Sequence, residues 1–169
     1  MALARGVRVN FMTLLALDPG LSLGWACSDG RSGTLNLKAF PDRGLALVFF
    51  SNWLQGEIRR HDLLVIETPV LRAASRYADF QHGLVWTAHS MATRHNVPRR
   101  EYRADEVRKH LLGRARRKKG ETVREFDAEI RTKVEALGYD PDTEHAADAC
   151  GLLCLASVGM LGSTTPAPS

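Results

Sequence analysis

Cysteine is scarce in this sequence, with three residues among 169, namely Cys27, Cys150 and Cys154. Their number is odd and no two of them form a Cys-x-x-Cys pair, which excludes a disulfide framework and offers little support for a zinc site. Cys150 and Cys154 lie in an apolar stretch, so we interpret them as small core residues. Few unpaired cysteines are typical of a reducing compartment, and we expect a cytoplasmic location.

Long apolar runs and internal repeats are also missing. No run reaches the roughly 20 residues that cross a bilayer, so the sequence predicts no membrane span. A composition of 44% hydrophobic and 25% charged residues excludes disorder throughout the chain. We expect one domain over residues 12–161, a loose extension at residues 1–11, and a disordered tail of small residues and proline at residues 162–169.

Positive charge is present in mild excess and is unevenly distributed. The net charge is +4, and residues 113–120 read Gly-Arg-Ala-Arg-Arg-Lys-Lys-Gly. This run is either a solvated loop or a phosphate-binding surface, and further arginines shortly before it favour a surface for nucleic acid. We predict nucleic-acid contacts from Arg108, Lys109, Arg114, Arg116, Arg117, Lys118 and Lys119.

Two short apolar runs each end in a carboxylate. Residues 14–17 lead directly into Asp18, and residues 63–66 lead directly into Glu67. A Pro-Gly or Thr-Pro pair follows each acid, which is typical of buried strands that end in a turn. A fully apolar strand is covered on both faces, and we expect these two to be parallel. Each acid taken alone also fits a structural role at the end of a strand.

The remaining pattern alternates strands with helices. We predict an α/β fold with a five-stranded mixed sheet flanked by helices, in which a three-strand antiparallel meander over residues 14–37 is joined by two parallel strands. The two added strands are predicted at residues 62–67 and 97–102. Helices are predicted at residues 43–60, 73–95, 104–112, 121–137 and 144–160.

The last predicted helix begins with Glu144, His145 and, one turn on, Asp148. If the two acid-ended strands are neighbours, Asp18 and Glu67 emerge at one sheet end roughly 5 Å apart. Carboxylates that close repel unless a cation lies between them, and oxygen ligands select Mg²⁺ or Mn²⁺. Two such ions about 4 Å apart can activate a water for attack on a phosphodiester and stabilise its leaving oxygen. Acidic residues at a helix start are also favoured by the helix dipole alone.

Three motifs in this order resemble those of the RuvC-type Holliday-junction resolvases of the RNase H-like superfamily. They are Leu17-Asp18-Pro19-Gly20 with Gly24 following, Val65-Ile66-Glu67, and His145-Ala146-Ala147-Asp148-Ala149. The resemblance covers residues 13–157, and the three motifs are specific only in combination. The family's catalytic and metal-binding positions match Asp18, Glu67, His145 and Asp148.

The resemblance implies an RNase H-like fold and a homodimer that resolves four-way DNA junctions by paired nicking. It also implies two Mg²⁺ ions in each active site, for which Mn²⁺ can substitute. The helix at residues 73–95 corresponds to the family's dimer helix. Residues 108–109 and 118–119 fall near the family's basic DNA-contacting residues.

The chain departs from cellular members of this family after the second acid. Those members carry an aromatic residue there that wedges into the junction, whereas this chain has Val70-Leu71, with Tyr77 as a candidate substitute. This departure and the long basic run suit a phage-type resolvase that acts on several branched DNAs and binds mainly through phosphates.

Three other functions share parts of the pattern. Sugar-kinase and actin-like ATPases also begin with a strand ending in Asp-x-Gly, but they need a later Gly-rich phosphate loop that this sequence does not contain. An RNase H-like nuclease acting on RNA or other branched nucleic acid shares Asp-Pro-Gly, and the basic run does not distinguish the substrates. A catalytically inactive junction-binding protein is the non-enzyme alternative, and the four competent site residues argue against it.

Overall fold

The structure is a computed structural model that describes residues 12–69 and 77–161. Of residues 160 and 161 it describes the backbone alone. The expected extension at residues 1–11 and tail at residues 162–169 lie outside these ranges. In the described ranges the strands are β1 Leu14–Asp18, β2 Ser22–Cys27, β3 Ser32–Asn36, β4 Leu63–Thr68 and β5 Arg99–Arg103. The helices are α1 Arg43–Ile58, α2 Ala78–Arg94, α3 Ala104–Leu112, α4 Val123–Ala136 and α5 Glu144–Leu161, with a short 3-10 helix at Leu37–Ala39.

The five strands form one mixed sheet in the order β3-β2-β1-β4-β5. β1 pairs antiparallel with β2, and β2 pairs antiparallel with β3, which gives the expected meander. β4 pairs parallel with both β1 and β5. The predicted fold class and order of elements are therefore confirmed.

The limits of some elements differ from the prediction for local reasons. Helix α4 was expected from residue 121 but begins at Val123, because Thr122 caps it. The Thr122 hydroxyl accepts from the Glu125 N–H at 3.2 Å, and a Glu125 carboxylate oxygen accepts from the Thr122 N–H at 2.8 Å. This reciprocal pair satisfies two N–H groups at the start of the helix.

Successive residues of the central strands face two separate cores. Leu15 and Leu17 of β1 pack with α1 and α2 on one face, whereas Leu14 and Ala16 pack with α5 on the other. β4 alternates in the same way. A strand buried on both faces needs a continuous apolar run, which is the pattern seen in the sequence.

The three cysteines are buried and unpaired. Their burial agrees with the interpretation of Cys150 and Cys154 as core residues of α5. Within the described ranges, no helix has the length and hydropathy that crossing a bilayer would require. The cytoplasmic location stays a prediction.

Candidate active site

Asp18 and Glu67 lie side by side at one end of the sheet. The parallel pairing of β1 with β4 places Leu17 opposite Ile66, and the two acids are the next residues in their strands. The turn that follows Asp18 is held by α2, because the Gln81 side-chain amide donates to the Pro19 carbonyl at 3.2 Å. The strand register therefore brings together two acids that are far apart in sequence.

The first turn of α5 is fastened beside these strand ends. Thr143 precedes the helix, and its hydroxyl accepts from the Ala146 N–H at 3.0 Å and lies 2.5 Å from the Thr34 hydroxyl of β3. Gly24 of β2 lets the helix approach closely, since a Cβ at this position would lie 1.9 Å from the His145 carbonyl oxygen. These contacts position His145 and Asp148.

The four predicted catalytic residues line one open cavity of 400 Å³. Sequence reasoning missed several of its other lining residues, because nothing in their local sequence marks them. Tyr77 lies in the wall, whereas Val70 and Leu71 lie outside the described residues. The lining consists of Asp18, Pro19, Gly20, Leu21, Ser22, Lys38, Glu67, Tyr77, Gln81, Arg108, His145 and Asp148.

Burial and mutual repulsion make it costly for the carboxyl groups in this cavity to ionise. Burial, followed by the charges of Glu67 and Asp148, raises the pKa of Asp18 well above its usual range. Burial and the charge of Asp148 raise the pKa of Glu67 to about 7. Burial, with help from Asp127 and Glu144, raises the pKa of Asp148 to about 6. The Arg108 guanidinium opposes all three shifts.

The donor set of the cavity fits hard divalent cations. Three carboxyl groups and one imidazole supply mainly oxygen ligands, which suit Mg²⁺ or Mn²⁺. A cation would offset both the burial and the repulsion that raise the pKa values of these carboxyl groups. Among the described residues, Cys27, Glu57 and His61 have ligand atoms that all lie within 4.8 Å of one another. The ligand atoms of the acidic cavity are spread more widely than these.

The raised pKa values predict a pH dependence of stability in the absence of metal. From about pH 4.5 to about pH 7, unfolded Glu67 ionises while folded Glu67 keeps its proton, so the free energy of unfolding falls as pH rises. The expected fall from this residue is on the order of a few kcal/mol. Chemical denaturation in EDTA at several pH values measures it.

Glu67→Gln is the matched variant for this measurement, because it keeps the shape of the side chain and removes its titration. The difference in unfolding free energy between the two proteins should change with pH across this window and stay constant above it. Parallel pH profiles would contradict the predicted shift.

A basic groove of 770 Å³ adjoins the acidic cavity, and Arg108 of α3 borders both. Arg116, Arg117 and Lys118 line this groove and are exposed, and Lys119 is exposed beside them. Lys109 is exposed on α3 but does not line the groove. The basic run is therefore brought next to the acids by the packing of α3 against α4.

The contacts of Arg114 differ from those of the rest of the basic run. Its guanidinium donates to both carboxylate oxygens of Glu121, at 2.8 and 2.9 Å, and also contacts the carboxylate of Glu129. It also lies over the Phe126 ring, 4.9 Å from the centroid. These contacts link the loop to α4 through Arg114, and its predicted contact with nucleic acid stays a prediction, as do those of the neighbouring cations.

Comparison with known proteins supports the fold. No protein-family model matches the sequence, and no curated protein matches it at a significant level. The Thermus thermophilus RuvC structure matches with a TM-score of 0.69 and 18% identity, over 90% of this chain and 98% of that one. T. thermophilus RuvC in complex with Holliday junction substrate matches with a TM-score of 0.68 and 17% identity, over 90% and 97%. The predicted RuvC-type RNase H-like fold is confirmed.

Proposed function

We propose that this protein is a metal-dependent endonuclease that resolves four-way DNA junctions by paired nicking. The observation that carries the proposal is that an acidic cavity and a basic groove meet at Arg108. A nucleic-acid backbone bound along the groove would present a phosphodiester to the carboxyl groups of Asp18, Glu67 and Asp148. The structural neighbour described in complex with a Holliday junction favours branched DNA as the substrate.

In this proposal the acids hold cations and the arginine positions the phosphate. Asp18, Glu67 and Asp148 would bind two Mg²⁺ ions, for which Mn²⁺ can substitute. When bound, such ions activate a water and neutralise charge on the leaving oxygen. His145 is exposed at the cavity mouth, where its imidazole can be a further ligand or orient the attacking water. Arg108 lies between the groove and the cavity, where it would contact a phosphate that approaches the acids.

A cleavage panel tests this function against its rivals. The substrates are a four-way junction, a fork, a linear duplex, single-stranded DNA and an RNA–DNA hybrid, each with Mg²⁺ and with EDTA. We expect Mg²⁺-dependent, paired cuts in opposing strands of the junction and little cutting of the duplex. Preferred cutting of the hybrid would favour an RNA-directed nuclease, and tight junction binding without cleavage would favour an inactive binding protein.

Neutralising the exposed part of the basic run should weaken junction binding. The variant replaces Arg116, Arg117, Lys118 and Lys119 by glutamine. If these residues contact phosphates, binding should weaken by about ten- to a thousandfold near physiological salt. The slope of log affinity against log salt should become shallower by up to about 3.6. Fluorescence anisotropy across a salt series measures both quantities.

A matched control removes two cations from the opposite edge of the sheet. Arg59 and Arg60 are exposed at the end of α1, far along β4 from Glu67, and their replacement by glutamine should leave the salt slope unchanged. A change of slope of the same size per cation removed in both variants would mean that the basic run acts only through the net charge of the protein.

We also propose that the protein is a homodimer that associates along α2. Trp86 is 69% exposed on this helix, although Leu84 and Val85 beside it are buried. Tryptophan is enriched at protein interfaces, because its ring is largely apolar and its N–H can still find a hydrogen-bond partner. Sedimentation equilibrium should give about twice the 18.7 kDa of one chain. Trp86→Ala should shift the protein towards monomer. Phe49→Ala is the control, because it removes another exposed aromatic ring, on α1, and should leave the dimer intact. A monomeric wild type would contradict the proposal.

A further inference from the structure

A second group of potential metal ligands lies at the edge of the sheet opposite the acidic cavity. It consists of Cys27 at the end of β2, Glu57 in the last turn of α1, and His61 in the loop that leads to β4. Their ligand atoms all lie within 4.8 Å of one another, and we call them the Cys27 cluster. The cluster is independent of the residues proposed for catalysis.

The distances in the cluster are close to those around a tetrahedral zinc ion. Cys27 Sγ lies 3.5 Å from His61 Nε2, and Glu57 Oε2 lies 3.8 Å from the same nitrogen. A tetrahedral ion with Zn–S near 2.3 Å and Zn–N near 2.0 Å requires roughly 3.5 Å between sulfur and nitrogen. The oxygen is about half an ångström further out than the same geometry requires, and a small rotation of a glutamate side chain covers that difference.

The two innermost ligands are held in place by the fold. Cys27 is completely buried, and the side chain of His61 is 3% exposed. His61 Nδ1 has no hydrogen-bond partner among the described residues, so the polar contacts of the ring are those that Nε2 makes inside the cluster. The imidazole is therefore directed at the thiol and the carboxylate by its packing, as a preformed ligand would be.

Arg31 covers the outer side of the cluster. Its Nη2 lies 3.2 Å from Glu57 Oε2 and 3.9 Å from Cys27 Sγ, and its Nε pairs with Asp29 at 2.8 Å. The arginine side chain is 43% exposed and comes from the turn between β2 and β3. The guanidinium thus supplies positive charge beside the ligands from a partly exposed position outside the apolar core.

We propose that Cys27, Glu57 and His61 form a second metal site, which binds Zn²⁺ or a similar borderline-soft divalent cation after Arg31 swings away. Water would be the fourth ligand. Binding would release the thiol proton of Cys27 to solvent and form the metal–sulfur bond, while neutral His61 would bind through Nε2. A thiolate–imidazole–carboxylate set selects against Mg²⁺, so the two sites would take different ions. The bound ion would tie β2, α1 and the start of β4 together.

Cobalt binding tests the site directly, because Co²⁺ replaces Zn²⁺ and reports its ligands by absorption. The full-length protein carries Asp18→Asn and Asp148→Asn, so that the acidic cavity does not bind the probe. We expect one equivalent of Co²⁺ to give a thiolate charge-transfer band and the visible bands of a tetrahedral ion. Adding Zn²⁺ should remove both, and adding Mg²⁺ should not. Absence of the thiolate band would overturn the proposal.

Variants separate the proposed ligands from the other cysteines. Cys27→Ser should lose the charge-transfer band, whereas Cys150→Ser, the same change at another buried cysteine, should keep it. If Cys27→Ser does not fold, Glu57→Gln decides the point at a partly exposed ligand, since it should weaken Co²⁺ binding by about tenfold or more. A band that survives Cys27→Ser or is lost with Cys150→Ser would overturn the assignment, as would unchanged affinity in Glu57→Gln.

Arg31→Gln provides a test that loss of structure cannot imitate. If the guanidinium competes with the metal, removing its charge should tighten Co²⁺ binding by about tenfold or more. If Arg31 is needed only to hold the cluster together, the same variant should bind Co²⁺ no better than its parent. The second result would overturn the proposal.

Discussion

Replacing Asp18 by asparagine is expected to abolish Mg²⁺-dependent cleavage of a four-way junction while junction binding stays measurable. The residue ends the central strand β1 inside the acidic cavity, and the substitution removes a carboxylate proposed to hold the cations. Metal stabilisation of the transition state is worth several kcal/mol, so we expect a loss of at least about a thousandfold in the cleavage rate. Single-turnover cleavage of a labelled junction, together with anisotropy for binding, measures both effects.

Asp140→Asn is the matched control, because this residue is exposed in the loop between α4 and α5. The Asp140→Asn variant carries the same chemical change as Asp18→Asn and should cleave the junction at the wild-type rate. Undiminished cleavage by Asp18→Asn would remove the site assignment. Loss of binding and cleavage together, with normal folding, would indicate that Asp18 acts through substrate affinity instead.

Replacing Gly24 by alanine is expected to impair cleavage through the position of α5. The new methyl group would lie 1.9 Å from the His145 carbonyl oxygen and 2.5 Å from the His145 carbonyl carbon, so the helix and the strand must separate. Overpacking of this kind costs about 1–3 kcal/mol or more. Because His145 and Asp148 move with the helix, cleavage should fall by about a hundredfold even in the folded fraction.

Gly56→Ala is the control for this substitution, since a Cβ at Gly56 meets nothing within 4 Å on exposed α1. It should stabilise the protein by about 0.5–1 kcal/mol and leave cleavage unchanged. Circular dichroism confirms folding, and denaturant unfolding with single-turnover cleavage measures the two effects. Wild-type cleavage by Gly24→Ala would mean that the close approach is not required for the site.

The sheet and its acids are predictable because each depends on short stretches of sequence. Residues 14–17 and 63–66 are apolar throughout, as a strand covered on both faces requires, and each run is short and followed by a turn signal. A carboxylate at the end of each such strand must then reach a common edge if the strands are parallel neighbours. The motif beginning at His145 completed the set, since its spacing places Asp148 on the same helical face.

Individual roles within a charged segment are not predictable in this way. Arg114 and Arg116 are two residues apart in one basic run, yet Arg114 contacts Glu121, Glu129 and Phe126, whereas Arg116 faces the groove. The difference arises from the packing of the loop on α4, and composition carries no information about it. Only the path of the folded chain distinguishes a cation that is paired with acids from one that faces the groove.

The amino-acid sequence by itself determined the order of elements, the mixed sheet and the residues that end its central strands, because apolar periodicity and strand-ending acids are local features. Tertiary structure alone decided that Arg108 borders both the acidic cavity and the basic groove. It likewise decided that Cys27 and His61 meet, since they belong to different segments that the β2–β1–β4 arrangement brings together. Proximity between distant segments depends on how whole elements pack, which no short stretch of sequence records.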